Sequence, residues 1–511
     1  MAKTLRLILG DQLNINHSWF KNTDDNVVYC LFEMRQETDY VKHHIQKIAS
    51  FFLAMRQFAH ELKSKNHQVI YYKINDSRNK QSLNENLLQI LNRDNFTCFE
   101  YQLPDEYRLD KQLNEFCKQL SIKTGFTDTE HFLSERMEVK QLFEHKKQIL
   151  LETFYRNMRR KHGILLEPNG EPVGGKWNYD SENRKKYTGK DSIPNPFLFN
   201  NNAKDVINEI KKSGCNFFGT DKDSVIWPVS RNQALLALDN FVQNKLTHFG
   251  TYQDAMTSKH DFLFHSLLSF ALNIKLLHPL EVIQAAVNFY NNNKQSVSLS
   301  QIEGFVRQIL GWREYMRGIY WWKMPEYETL NFFEHKTPLP VYYWTANTKM
   351  NCLKQCITNS LNNAYAHHIQ RLMVTGNFAL LAGVNPDEVD QWYLGIYIDA
   401  IQWVEITNTR GMSQFADGGI VGSKPYISSA NYIDKMSDYC SDCYYDKQKK
   451  YGNKACPFNS LYWHFYIRHS DKLGNNNRIG MMYNIINKMQ PDEKAKILQQ
   501  AEHYLQNLNS L

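Results

Sequence analysis

Five of the nine cysteines fall in the last third of the 511-residue chain, and three of them are spaced for chemistry. Cys440-x-x-Cys443 puts two thiols on one turn, where thiolates converge on a metal ion or cluster. Cys456 follows after 12 residues, directly before Pro457. Cys352 or Cys356 could add a fourth ligand from a helix earlier in the chain. Zinc and an iron–sulfur cluster both accept such a set. No histidine lies between Cys440 and Cys456, which favours four thiolates over a mixed site. Three unrelated core cysteines are the plainer alternative. Cys30, Cys98, Cys117 and Cys215 are scattered and read as buried thiols.

A second constellation is Tyr365-Ala366-His367-His368-Ile369-Gln370-Arg371-Leu372-Met373. Adjacent residues on a helix point about 100° apart, so one of the two histidines faces any given cavity. Arg371 falls three residues after His368 and shares its helix face. Asp399 and Glu405 follow on the next helical segment. An arginine with two carboxylates forms a buried ion pair or a seat for a charged cofactor. The third feature is aromatic: Trp312, Trp321, Trp322, Trp344, Trp392, Tyr393, Trp403, Tyr432 and Trp463. Such a stripe is ordinarily core, and a redox chain of Trp and Tyr would have the same composition.

These residues need elements to hold them. The first 125 residues alternate short apolar runs (5–9, 27–34, 69–72, 98–101 and one near 122) with helical spacing (40–65, 83–91, 108–120). That alternation predicts a parallel sheet with helices on both faces. The turn Gly10-Asp11-Gln12-Leu13 lacks G-x-G-x-x-G, so no dinucleotide pyrophosphate is expected there, although the strand end could hold another ligand. Residues 130–230 mix one helical stretch, 141–161, with Pro- and Gly-marked loops and read as a connector. From Val229 onward helical patterns dominate: 233–246, 261–272, 279–291, 300–320, 352–375, 386–403 and 461–468. The expected division is 1–130 as an α/β domain, 131–228 as connector and 229–511 as an all-helical domain.

Composition sets the class. Hydrophobic residues make up 42% and charged residues 22%, which excludes a disordered or collagenous chain. The net charge is only +7, but residues 156–190 hold nine Lys/Arg against four Asp/Glu, a local basic surface. No run of 18 apolar residues exists, so no membrane span is expected. The start carries no cleavage signal, so a cytoplasmic protein with reduced thiols is expected.

Several long motifs, in order along essentially the whole chain, resemble the iron–sulfur bacterial cryptochromes and photolyases, the prokaryotic (6-4) photolyase group. They are Leu7-Ile8-Leu9-Gly10-Asp11-Gln12-Leu13, Phe154-Tyr155-Arg156-x-Met158-Arg159, Gly174-Gly175-Lys176-Trp177-Asn178 and Gly311-Trp312-Arg313-Glu314-Tyr315. The stretch 366–374, Gly411-Met412-Ser413-Gln414-Phe415-Ala416-Asp417-Gly418-Gly419, Ser423-Lys424-Pro425-Tyr426 and Cys456-Pro457-Phe458-Asn459 complete them. The resemblance implies an α/β antenna domain of Rossmann-like parallel topology, a connector and a helical FAD domain, the cryptochrome/photolyase fold. It also implies a [4Fe–4S] cluster on Cys352, Cys440, Cys443 and Cys456, with Cys356 as the alternative to Cys352.

The resemblance implies FAD among the helices, with Tyr252, His265, Ser266, Leu267, Leu268 and Ser269 near its phosphates. Phe270 stands where the wider superfamily usually carries proline. Arg371 and Asp399 would flank the isoalloxazine, Glu405 would face N5, and Arg313 is a further cofactor-side candidate. His368, with His367 second, would protonate the lesion, and Gln308 would face it. Trp392, Tyr393 and Trp344 would carry electrons. A 6,7-dimethyl-8-ribityllumazine antenna would sit by Gly10, Asp11, Gln12 and Glu37. The implied activity is light-driven repair of (6-4) photoproducts in UV-damaged DNA by electron transfer from reduced FAD, in a chain expected to act as a monomer. The alternatives are a blue-light receptor of the same fold, a cyclobutane-dimer enzyme, and a non-photochemical Fe–S protein that binds DNA.

Overall fold

A computed structural model describes residues 3–511. Five strands form one parallel sheet: β1 (Thr4–Leu7), β2 (Val27–Phe32), β3 (Gln68–Tyr72), β4 (Cys98–Gln102) and β5 (Lys123–Thr127). Their spatial order is β3-β2-β1-β4-β5. β2 is buried along its whole length because helices cover both faces, which is why its sequence is a continuous apolar run. Leu5, Leu7, Val28, Cys30 and Phe99 face the helices Leu83–Arg93 and Tyr107–Gln119. Tyr29 and Leu31 face the helix Ile45–Ser64. The strand order reverses at β1, so a crevice opens beyond its carboxyl end, where open sheets bind ligands.

The rest of the chain is helical, and it is bolted to the sheet domain through buried polar contacts. Lys47 Nζ donates to the carbonyls of Leu394 (2.6 Å) and Ala400 (2.7 Å). Lys275 Nζ pairs with Asp11 (3.2 Å) and Asp105 (2.7 Å). One apolar core runs from Ile8 and Phe52 through Met158 and Trp227 to Phe270 and Trp403, so it ignores the domain divisions read from the sequence. The connector packs on the helical half: Glu314 accepts from Leu133 N and Ser134 N, and Glu303 accepts from Tyr179 N.

Several helices expected to be continuous are broken. The stretch 141–161 is two helices, Glu138–Phe143 and Leu151–His162, parted by the polar run at 144–148. Within 261–272 only Ser269–Asn273 is helical; Leu263 and Leu267 adopt positive φ, 42° and 58°, and coil the chain. The stretch 352–375 stops after Asn351–Asn363, where Ala364 turns to φ 52°, and restarts beyond His367. The stretch 386–403 is Pro386–Ile396 and Gln402–Ile406 with a bend at 397–401. Three helices widen to π turns, at Arg307–Arg313, Gln370–Gly376 and Thr407–Ser413. Such bulges often mark functional sites, and these three lie beside Gln308, Arg371 and Glu405.

Candidate functional site

The two helix breaks meet. Arg371, on the π turn after the first break, pairs with Asp399, in the second, at 2.9 Å. Its Nε donates to Ala366 O (2.7 Å), and its guanidinium lies 3.8 Å from the Tyr397 ring centre. Burial works to raise the Asp399 pKa, but Arg371 and Ser269 outweigh it and hold the carboxylate below its ordinary range. Ser269 of the expected phosphate stretch therefore reaches the same pair. Glu405, on the next helix, is buried, and its Oε1 has no protein partner. Burial and nearby Asp390 push its pKa well above the ordinary carboxylate range.

His367 is not on a helix face. It caps the helix that follows, its Nδ1 accepting from Ile369 N (3.3 Å). That assignment leaves the ring proton on Nε2, which is buried and unpartnered. His265 stacks on it with ring centres 4.4 Å apart, and its Nε2 is unpartnered too. Burial holds both imidazoles well below the ordinary histidine range, hence neutral. His368 opens the helix, its side chain 48% exposed, with Nε2 3.3 Å from Asp254 Oδ1. The three rings bring ligating nitrogens within 4.8 Å of one another. The capping role of His367 makes its Nε2 a donor, which does not suit a metal ligand.

Arg371 also leads to the aromatic residues. Tyr393 donates to Arg371 O (2.7 Å), and its ring lies 5.4 Å from that of Tyr397. Trp392 contacts Tyr393 at 5.3 Å and Tyr343 at 5.2 Å. Trp344, next in sequence to Tyr343, is 37% exposed and packs on Phe218 at 5.0 Å. Ring contacts thus join Tyr343, Trp392, Tyr393 and Tyr397 beneath Arg371, while the Trp344 ring packs on Phe218 at the surface. Tyr343 and Tyr397 were missed in the sequence; Tyr397 stands one helical turn after Tyr393, a spacing that could have flagged it.

Other expected residues are placed less directly. Tyr252 hydrogen-bonds Asp191 of the connector and stacks on Phe264. Ser266 and Leu267 line a cavity of about 370 Å³ together with Lys245, a lysine buried with no carboxylate partner. Burial lowers the Lys245 pKa to about 8, and an anionic ligand would suit it. Leu268 precedes the short helix that starts at Ser269. Arg313 is committed elsewhere: it contacts His131 (3.0 Å) and Glu314 (3.2 Å) and lies over Phe132 and Trp403, without reaching Arg371 or Asp399. Gln308 is half-buried on its π turn and makes no hydrogen bond to either histidine.

The crevice beyond β1 is a cleft of about 970 Å³. Gly10, Asp11 and Glu37 line it, with Tyr40, His43 and Glu106 as further polar groups and Phe32, Ile48, Phe51 and Met55 as apolar wall. A Cβ on Gly10 would stand 3.1 Å from Met55 Sδ, so a side chain there would narrow the cleft. Gln12 is not in the wall. Its amide closes the turn, accepting from Leu9 N (2.9 Å) and donating to Gln102 O (3.1 Å). Ala400 and Ile401 form the far side, so one bend separates this cleft from Asp399. A mostly apolar cleft with a few convergent polar groups, among them the unpartnered His43 Nδ1, fits a planar heterocycle with a polar chain.

Cys352, Cys440, Cys443 and Cys456 line a single apolar cavity of about 320 Å³. Cys356 is not part of it and meets Tyr439 instead. Among the described residues, no three of these sulfurs come within 4.8 Å of one another. Within the connector, half-buried Trp177 is ringed by exposed Arg156 and Arg160 and buried Arg159 at 5.6, 4.7 and 4.9 Å. This is the basic stretch seen in the sequence.

A Rossmann-like parallel sheet joined to a helical half, with polar groups converging where the helices break, defines a protein of the photolyase/cryptochrome fold. Solved structures agree. A bacterial class III photolyase from Agrobacterium tumefaciens superposes with a TM-score of 0.59 at 14% identity, over 86% of this chain and 85% of that one. Synechocystis cryptochrome gives 0.56 at 12% identity, over 85% and 86%. In sequence, a (6-4) photolyase of Agrobacterium fabrum is 42% identical over 511 residues, 99% of each chain. An uncharacterized protein of Acanthamoeba polyphaga mimivirus is 33% identical over 107 residues, 21% of this chain and 80% of that protein. The profile described as deoxyribodipyrimidine photo-lyase-related protein matches residues 6–225. The chain belongs to the deoxyribodipyrimidine photo-lyase-related family.

Proposed function

We propose that this protein repairs (6-4) photoproducts in DNA by light-driven electron transfer, the activity named for the relative that matches it end to end. The single observation that carries the reading is the meeting of the His265–His367–His368 cluster with the Arg371–Asp399 pair, Arg371 following the same break as His367 and Asp399 lying in the next. FAD fits there: the nitrogens of His265 and His367 and Glu405 Oε1 are buried polar atoms without a protein partner, and Arg371 offers charge. When bound in its reduced form, FAD supplies the photoexcited electron. The residues do the rest. Arg371 and Asp399 fix the seat, Glu405 is placed to hold a proton beside it, and Tyr393, Trp392 and Trp344 are the electron carriers toward the surface. His367 presents an N–H into the cavity. His368, oriented by Asp254, gives a proton to the lesion.

A flipped lesion enters such a cavity most easily because damaged bases stack poorly. Arg156, Arg160, Lys176 and Lys185 form an exposed basic face for the phosphates, so affinity falls as salt rises. Among the described residues, no helix is long and apolar enough to cross a membrane. The decisive experiment illuminates the reduced protein with oligonucleotides carrying one (6-4) photoproduct or one cyclobutane dimer. Repair of the first alone is expected. Repair of neither, with intact flavin photoreduction, would make the protein a light receptor.

The cleft beyond β1 is read as the lumazine seat and the four-thiol cavity as the [4Fe–4S] seat. Asp11→Ala is expected to deplete the lumazine while FAD stays bound, because Lys275 keeps its second partner, Asp105. Chromophore content after extraction reads both; loss of FAD with retention of lumazine would exchange the two assignments.

A further inference from the structure

The bend at 397–401, which carries Asp399, is held from several sides. Were the helix Pro386–Ile396 to run on, Ile398 N would bond Leu394 O. It turns instead to Ala364 O, at 2.8 Å, in the other helix break. Asn273 Nδ2 donates to Asp399 O at 2.7 Å, and Arg371 pairs with the Asp399 carboxylate at 2.9 Å. The remaining hold comes from the sheet domain. Lys47, in the first turn of the helix Ile45–Ser64, is 5% exposed. Its Nζ donates to Leu394 O at 2.6 Å, the carbonyl that Ile398 leaves free, and to Ala400 O at 2.7 Å. Beyond the bend, Val404 N donates to Ile401 O at 3.1 Å, so it does not take up Ala400 O.

We propose that Lys47 is a positioning residue for the flavin-side pair: its one nitrogen spans the bend and sets where Asp399 meets Arg371. The placing of the flavin at that pair rests on the function proposed above; the clamp on the bend does not. Carbonyls at a helix end lack an N–H from their own helix, and buried ones need a donor from elsewhere. A lysine nitrogen offers several donors from one point and no acceptor, so it can serve carbonyls on both sides of a bend. Burial lowers the Lys47 pKa to about 7, yet an uncharged amine keeps two N–H groups, so the clamp needs donors more than charge. Lys47, Ala400 and Ile401 also line the cleft beyond β1. The clamp therefore fixes the bend relative to that cleft as well as to Arg371.

The test reads the bend and the flavin separately, in the full chain with its flavin. Lys47→Met keeps the stem and its packing but leaves both carbonyls buried without a donor. Amide hydrogen exchange across 397–401 is expected to quicken by at least about tenfold, the scale of such a loss. The helix Leu83–Arg93, on the other face of the sheet, should exchange as before. The Kd for FAD is expected to rise by about tenfold too, because the competent seat is less populated. A residue that acts through Asp399 has little left to do once that carboxylate is gone. In an Asp399→Asn background, Lys47→Met is therefore expected to raise the Kd by less than about twofold, since coupled residues are not additive.

A lysine that merely bolts the domains together would give the full additional rise in that background, and this result overturns the proposal. Unchanged exchange at 397–401 overturns it as well. Faster exchange there with an unaltered Kd upholds the clamp and overturns the seating of FAD at Arg371 and Asp399. Should Lys47→Met fail to fold, Lys47→Gln carries the test, because its shorter side chain cannot span both carbonyls. Exchange is then expected to quicken by about threefold, and wild-type exchange overturns the clamp.

Discussion

Replacing His368 with alanine is expected to cut (6-4) repair per bound flavin by at least about tenfold, because a positioned general acid contributes about 10²–10⁴-fold. The residue sits at the first turn of its helix, half-exposed, with Asp254 3.3 Å from Nε2. A half-exposed histidine whose single side-chain hydrogen bond is to Asp254 contributes little to folding, so thermal midpoint and FAD content should stay near wild type. DNA affinity should also hold, since phosphate contacts dominate it. These three controls separate His368 from its neighbour. His367 is buried, stacks on His265 and caps a helix, and the lost cap alone costs about 1 kcal/mol. His367→Ala should therefore lower stability and flavin content together. Repair turnover normalised to FAD decides the matter: a normal rate in His368→Ala ends the catalytic assignment. Asp254→Asn should fall between, since it leaves the imidazole but removes the carboxylate that orients it.

The sheet was legible in the sequence because buried strands write themselves as apolar runs, as β2 and β4 do; β5, Lys123–Thr127, is a half-exposed edge strand and was expected only near residue 122. The breaks that build the site were not. Leu263, Leu267 and Ala364 turn the chain at positive φ without glycine or proline to announce it. Apolar spacing continues straight across them because the broken segments are as buried as helices are. Periodicity reports burial, and here burial and helicity part company. Strain at such positions persists only where the surroundings over-determine it, and here the surroundings are Arg371, Asp399 and the histidines. The same effect hid His367 as a cap and put both histidines on one helix, with His368 sharing a face with Arg371. Lys245, Asp254, Asp390 and Tyr397 escaped notice for another reason. Each is ordinary in sequence and gains its meaning from a partner, or from the lack of one, far along the chain.

On the proposed reading of the four-thiol cavity as a cluster seat, loss of one thiol should act well beyond that cavity. Cys352→Ala is expected to abolish iron binding, and Cys356→Ala to retain it, because only the former lines the four-thiol cavity. Cys443→Ala should match Cys352→Ala. Iron per protein checks all three, and full iron in Cys352→Ala with none in Cys356→Ala would move the ligand by one helical turn. The reach of the effect follows from what the thiols join. Burial pushes Cys352 far above the ordinary thiol range, and the neighbouring sulfurs push it further. Four thiolates cannot share that cavity without a cation, so the ligand-free state is neutral and loosely held. Cys456 sits at the start of the helix Pro457–Arg468, and Cys352 at the start of Asn351–Asn363. The second of these helices ends at Ala364, three residues before His367. Untying its amino end frees the segment that sets His367 and Arg371, so soluble yield and FAD content should fall with iron. A Cys352→Ala protein that kept its flavin at full occupancy would show instead that Asn351–Asn363 is held by its apolar packing alone.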